Sequence, residues 1–249
     1  MKRAILSMAA AVLAGGVAAC SPNPPERTAS DAQAEREWAR PPVIERVERT
    51  GAALTVSGVA DAEARVVLRG DDGAAFAATA DSRGGFEIRL PAPAGHLLLH
   101  AETQVGQDAA PSPERLLVLA GGRGPVAVLR PGGPTRRLDA APALGAIDSD
   151  GRMRLASGRA PAGTAAVEVQ SGGETVQVVP EAGGRWSVIL AARDGPDQIR
   201  VAGRDFPWPG EAAGSGDLTV ERMESGWRIR WAGPGGADQT TWLPVLAAP

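Results

Sequence analysis

The sequence predicts an all-β protein, two tandem β-sandwich modules built on an internal repeat of about 100 residues. Apolar residues recur at every second position at Leu54, Val56; Phe86, Ile88, Leu90; Leu97, Leu99, Ala101; and Trp186, Val188, Leu190. Period two places successive side chains on opposite faces, which is the pattern of half-buried strands. Turn signals separate these runs, at Asp71-Asp72-Gly73, Asp81-Ser82-Arg83-Gly84-Gly85, Ser149-Asp150-Gly151 and Ser171-Gly172-Gly173. Helical periodicity is nearly absent after the first 20 residues.

The opening segment carries a different signal. Met1, Lys2 and Arg3 precede an apolar stretch from Ala4 to Val17, and small residues at Ala18 and Ala19 lead to Cys20. A basic start, a short apolar run and a small-residue end predict a signal peptide over residues 1–19. The run is too short for a spanning helix, which needs roughly 20 apolar residues. Val17-Ala18-Ala19-Cys20 resembles the lipobox of bacterial lipoproteins, with Val17 in place of the usual leucine. The resemblance implies cleavage after Ala19 and a diacylglycerol on the Cys20 thiol, so that the membrane partner is lipid. Cys20 is the sole cysteine. No internal disulfide can form, and the fold must stand on burial alone.

Residues 20–41 are rich in proline, alanine and charge, and predict a flexible tether that cannot bury enough apolar surface to order itself. Ser21 stands where lipoproteins of enteric type carry an inner-membrane retention aspartate. The resemblance therefore implies the outer membrane, with the domains on its periplasmic or surface side.

Residues 42–141 and 142–249 are the two copies. Pro42, Gly51, Ser57, Gly58, Ala60, Val67, Gly84 and Leu90 recur as Pro142, Gly151, Ser157, Gly158, Ala160, Val167, Gly184 and Leu190, and Phe86 recurs as Trp186. No gap is needed over about 60 positions. Val118, Arg130 and Gly133 match Leu218, Arg230 and Gly233, which extends the expected repeat to a hairpin after each core. The run Val56-Ser57-Gly58-Val59-Ala60, with Asp81-Ser82-Arg83-Gly84-Gly85-Phe86-Glu87-Ile88, resembles bacterial immunoglobulin-like and carboxypeptidase-regulatory-like modules. That resemblance implies a sandwich and leaves the function open, because such modules serve as spacers, adhesins and docking units alike.

The charge balance, 26 basic against 29 acidic side chains, argues against nucleic acid, whose phosphates need clustered cations. No serine-hydrolase elbow, phosphate-binding loop or zinc signature is present, so neither an enzyme nor a cofactor is expected. His96 and His100 share a strand face but lie about 13 Å apart, too far for one metal. Asp148-Ser149-Asp150-Gly151 reads as a hairpin turn, with calcium as the weaker alternative because the later glutamate of such a loop is missing.

The remaining candidate is aromatic. Trp227, Ile229 and Trp231 alternate with Arg228 and Arg230, and Trp208 and Trp242 are near in sequence. Core packing is the favoured explanation of this C-terminal cluster; because tryptophan and arginine are enriched in interface hot spots, it is also the surface expected to bind a partner if any surface of the protein does. The function expected is a non-catalytic envelope lipoprotein whose modules bind or scaffold an envelope protein or glycan; the alternatives are a structural spacer or accessory subunit, or a periplasmic hydrolase.

Overall fold

A computed structural model describes residues 39–193, 195–213, 218–233 and 236–245. The expected signal peptide, Cys20 and the tether as far as Trp38 lie outside the described residues. The described part is all-β, with antiparallel pairing in every ladder and no α-helix, an arrangement consistent with a β-sandwich.

In the first half, strands β1 (Val43–Thr50), β2 (Ala53–Val59) and β5 (Gly85–Pro91) form one sheet in the order β1-β2-β5. Strands β3 (Arg65–Gly70), β4 (Ala75–Thr79), β6 (Leu97–Val105), β7 (Asp108–Val118), β8 (Val126–Leu129) and β9 (Arg136–Arg137) form a second, in the order β4-β3-β6-β7-β8-β9. Period two turns Leu54, Val56, Phe86, Ile88 and Leu90 to one side. They meet Val66, Leu68, Leu99, Leu116 and Val128 of the facing sheet in one core. Each such side chain contributes about 1.5–3 kcal/mol on full burial. Pro111 and Pro113 fit within β7 because β8 pairs only with Arg115–Val118, which leaves the proline stretch without a second neighbour.

In the second half, β12 (Val167–Ser171), β13 (Glu174–Val178), β15 (Asp197–Val201) and β16 (Arg204–Trp208) make a sheet in the order β13-β12-β15-β16. It faces β10 (Leu144–Ser149), β11 (Met153–Arg159) and β14 (Arg185–Ala191) across a core that includes Leu144, Ile147, Val169, Trp186, Ile199, Trp208 and Trp242. The last strands, β17 (Leu218–Met223), β18 (Gly226–Ala232) and β19 (Asp238–Pro244), extend the latter sheet to β14-β11-β10-β19-β18-β17.

The pairing registers of the two halves coincide at a shift of 100 residues. Ile44 opposes Gly58 and Leu144 opposes Gly158, each followed by the same irregularity, and Gly58 opposes Phe86 as Gly158 opposes Trp186. A side chain at Gly58 would strike the Val43 carbonyl and the Phe86 ring, and one at Gly158 the Ala143 carbonyl and the Trp186 ring. Both positions are glycine because the backbone and the aromatic ring close in on the same spot.

The correspondence does not extend to the following hairpins. β7 and β8 continue the sheet of β6, whereas β17 and β18 join the opposite sheet through β19 and β10. Val118 pairs with Val126 at the end of its strand, and Leu218 pairs with Trp231 at the start of its own. The matching letters Arg130, Gly133 and Arg230, Gly233 therefore mark different structures. The second hairpin has a separate task. Ile229, Trp231 and Leu243 pack with Ala146 of β10 against Leu98, Leu117, Leu119, Ala127 and Leu129 of the first half, a third core that joins the two.

Candidate functional site

The C-terminal aromatic cluster is interior. Trp208, Trp231 and Trp242 are 1, 0 and 0 % exposed. Trp208 and Trp242 belong to the core of the second half and Trp231 to the core between the halves, so these three offer no surface to a partner. Trp227 is half-buried, with His96 edge-on at 5.3 Å and the Arg222 guanidinium over its ring at 5.2 Å. Arg228 donates to Glu221 Oε2 at 2.6 and 3.0 Å and to the carbonyls of Pro209 and Glu211, while Arg230 pairs with Asp238. The alternation of β18 identified a strand correctly; its aromatic side is covered by the sheet of the first half.

The segment between the halves is held from both sides. Thr135 gives its backbone N–H and its hydroxyl to the two carboxylate oxygens of Asp148, at 2.7 and 2.6 Å. Thr241 Oγ1 donates to Asp148 Oδ1 at 2.7 Å and accepts from Trp231 Nε1 at 3.0 Å. Burial outweighs these hydrogen bonds and pushes the Asp148 carboxyl up to about 6. Arg137 bonds Asp139 through two nitrogens and the carbonyls of Gly145 and Pro244 through a third. Linker, β10 and β19 are thus tied by charged and hydroxyl groups around the apolar third core.

In comparisons with known proteins, no family model and no curated protein matches this chain.

Beside the linker lies a cleft of about 670 Å³. Glu45, Glu114 and Arg130 of the first half border it, and Gly158, Arg159, Arg185 and Trp186 of the second, with Arg136 and Arg137 between. Arg130 pairs with Glu114 at 2.7 Å and Arg137 with Asp139 at 2.5 Å. Arg136 reaches the Ile44 carbonyl at 2.5 Å. Burial lowers its pKa, aided by the Arg130 and Arg185 charges and opposed by Glu114 and Glu45. No motif in the sequence marks this constellation, whose residues come from separate stretches of the chain.

The histidines and the aspartate turns have separate uses. His100 Nε2 lies 3.1 Å from Asp71, and His96 Nδ1 accepts from the Ala120 backbone at 3.3 Å. Asp150 accepts from the N–H groups of Arg152 and Met153 at 2.8 and 2.9 Å, so it closes its own turn while Asp148 points into the linker network. Among the described residues no helix is long and apolar enough to cross a membrane.

Proposed function

We propose that this chain is a non-catalytic, lipid-anchored protein of the cell envelope in which two tandem immunoglobulin-like modules act as one rigid scaffold. The shared register of β1, β2 and β5 with β10, β11 and β14 supports reading the halves as two copies of one module. The observation that carries the proposal is the third core. Beads on a flexible string would keep polar facing surfaces, whereas here Trp231, Ile229 and Leu243 seal five apolar side chains of the first half. The side chains best suited to grip a partner hold the modules at a fixed angle to one another, which favours a scaffold or accessory subunit over an aromatic docking surface.

The anchor in this proposal is Cys20, with residues 21–41 as the tether and the outer membrane as the site. Several acyl chains on one cysteine hold a protein at a membrane where a single chain would not. Radiolabelled palmitate feeding and fractionation, with native protein compared to Cys20→Ser, tests it. Label and outer-membrane co-sedimentation confined to the native form are expected; a native protein that carries no label and fractionates as soluble contradicts the anchor.

A further inference from the structure

We propose that the cleft beside the linker binds a small anionic ligand bearing carboxylate or phosphate groups, held by Arg136, Arg159 and Arg185. This goes beyond the scaffold reading, and it holds or fails irrespective of the anchor at Cys20.

Arg159 of β11 stands directly opposite Arg185 of β14. Side chains in such a pair project from the same face at close range, and like charges there destabilise the sheet. In the first half the same pair is Val59 and Gly85, which carries no charge. The second copy therefore departs from the shared pattern by placing two cations side by side, and it does so at the border of the cleft.

The adjoining turn departs in the same sense. In the first half Asp81 turns its carboxylate inward, accepting from the N–H groups of Arg83 and Gly85 at 2.8 and 2.9 Å. In the second half Glu181 keeps the backbone bond of that turn, its N–H donating to the Arg185 carbonyl at 2.7 Å, and its carboxylate reaches only Arg185, at 3.5 Å with both side chains more than half exposed. An ion pair that open to water is weak and readily exchanged.

The carboxylates of the cleft leave cations over. Glu114 is taken by Arg130 and Asp139 by Arg137, both at short range. Arg159 makes no hydrogen bond or ion pair with the described residues, and Arg136 meets only a backbone carbonyl. Glu45 is the remaining acid, exposed on β1 and contributing to the field at Arg136. Arginine suits the task, since its planar fork matches carboxylate and phosphate oxygens two at a time. The volume falls in the range of roughly 300–1,000 Å³ typical of small-molecule sites, and junctions between domains are where such sites concentrate. Trp186 also borders the same space.

Calorimetric titration of the full-length protein at low ionic strength with inorganic pyrophosphate, citrate and, as a neutral control, maltose tests the site. Saturable binding of one or both anions at one per chain, with no binding of maltose, is expected; stronger binding of pyrophosphate identifies a phosphate-bearing ligand and stronger binding of citrate a polycarboxylate. The Arg159→Glu, Arg185→Glu double variant removes two surface cations and is expected to weaken binding by roughly tenfold or more, since charge-assisted pairs are the strong ones. Arg65→Glu with Arg69→Glu changes the net charge equally on β3, away from the cleft, and is expected to leave affinity within about twofold. Circular dichroism confirms that both double variants keep their sheet content. Absence of saturable binding by either anion, or equal weakening by the two double variants, overturns the proposal.

Discussion

Arg154 and Asp197 form an ion pair of 2.9 Å in the second half, at the positions where the first half carries Leu54 and Leu97. Arg154 is 1 % exposed, its guanidinium lies 5.2 Å over the Trp208 ring, and it also donates to the Arg193 carbonyl. Equivalent strand positions thus accept an apolar pair in one half and a buried charge pair in the other. Removing one member of a buried pair strands the other charge, at a cost of about 3–5 kcal/mol, while replacing both with apolar groups is often neutral or stabilising. Arg154→Leu and Asp197→Leu are each expected to lower the denaturation midpoint substantially, and the double variant, which introduces the first half's residues, to recover most or all of it. Urea unfolding of the four proteins checks this; additive losses would contradict it.

Asp148 makes the stability depend on pH in a particular direction. Its carboxyl is raised from 3.8 to about 6, so between those values the folded state holds a proton that the unfolded state has released. The stability it supplies is full below about 4 and is lost as pH rises through about 6, by roughly 3 kcal/mol at 1.36 kcal/mol per unit. Asp150, held low by the N–H groups of Met153 and Arg152, works in the opposite sense. The difference between native protein and Asp148→Asn isolates the one group. That difference is expected to shift in favour of the Asn variant from pH 4 to 7, as read by urea midpoints; a constant difference would sink the assignment.

Gly58 and Gly158 occupy one structural role twice, so their substitutions should behave alike. Alanine at either forces a methyl against a backbone carbonyl and an aromatic ring, with an expected loss of about 1–3 kcal/mol. In a domain of this size each kcal/mol lowers the melting temperature by about 2–4 °C. Gly95→Ala, where a methyl meets nothing within 4 Å and the backbone is not left-handed, is the control and should melt within about 2 °C of native protein.

The strands that face water on one side were legible. β2 and β5 alternate, and Gly73, Gly84, Gly151 and Gly173 at the turns have φ of 84, 86, 80 and 90°. The third core was written in a different code. Leu97-Leu98-Leu99, Leu116-Leu117-Val118-Leu119 and Val126-Ala127-Val128-Leu129 are unbroken apolar runs, the mark of strands buried on both faces. Alternation in β18 specifies an apolar side without saying what covers it, so core packing is the favoured explanation of the tryptophans while the identity of the facing surface stays hidden. Where β1 of the first half carries the outward Glu45, Arg46 and Glu48, β10 carries Gly145, Ala146 and Asp148, which makes room for the seam. The cleft arginines come from separate stretches of chain, and their one sequence signature is the replacement of Val59 and Gly85 by Arg159 and Arg185.

The seam itself is open to mutation. Trp231→Ala removes its largest side chain, together with the indole donor to Thr241, at an expected cost of about 3–5 kcal/mol. Phe substitution keeps most of the apolar packing while losing the hydrogen bond and one ring, for a smaller expected cost of about 1–2 kcal/mol. Equal losses in the two variants, measured by urea unfolding, would show that apolar packing is not what holds the seam.

Scanning calorimetry of the full-length native protein tests the rigid-scaffold account most directly. Two halves joined by the third core should melt in one cooperative transition, with calorimetric and van't Hoff enthalpies equal, and Trp231→Ala should split that transition into two. A native protein that already melts in two independent steps, left unchanged by Trp231→Ala, would contradict the claim that the seam makes the modules one body.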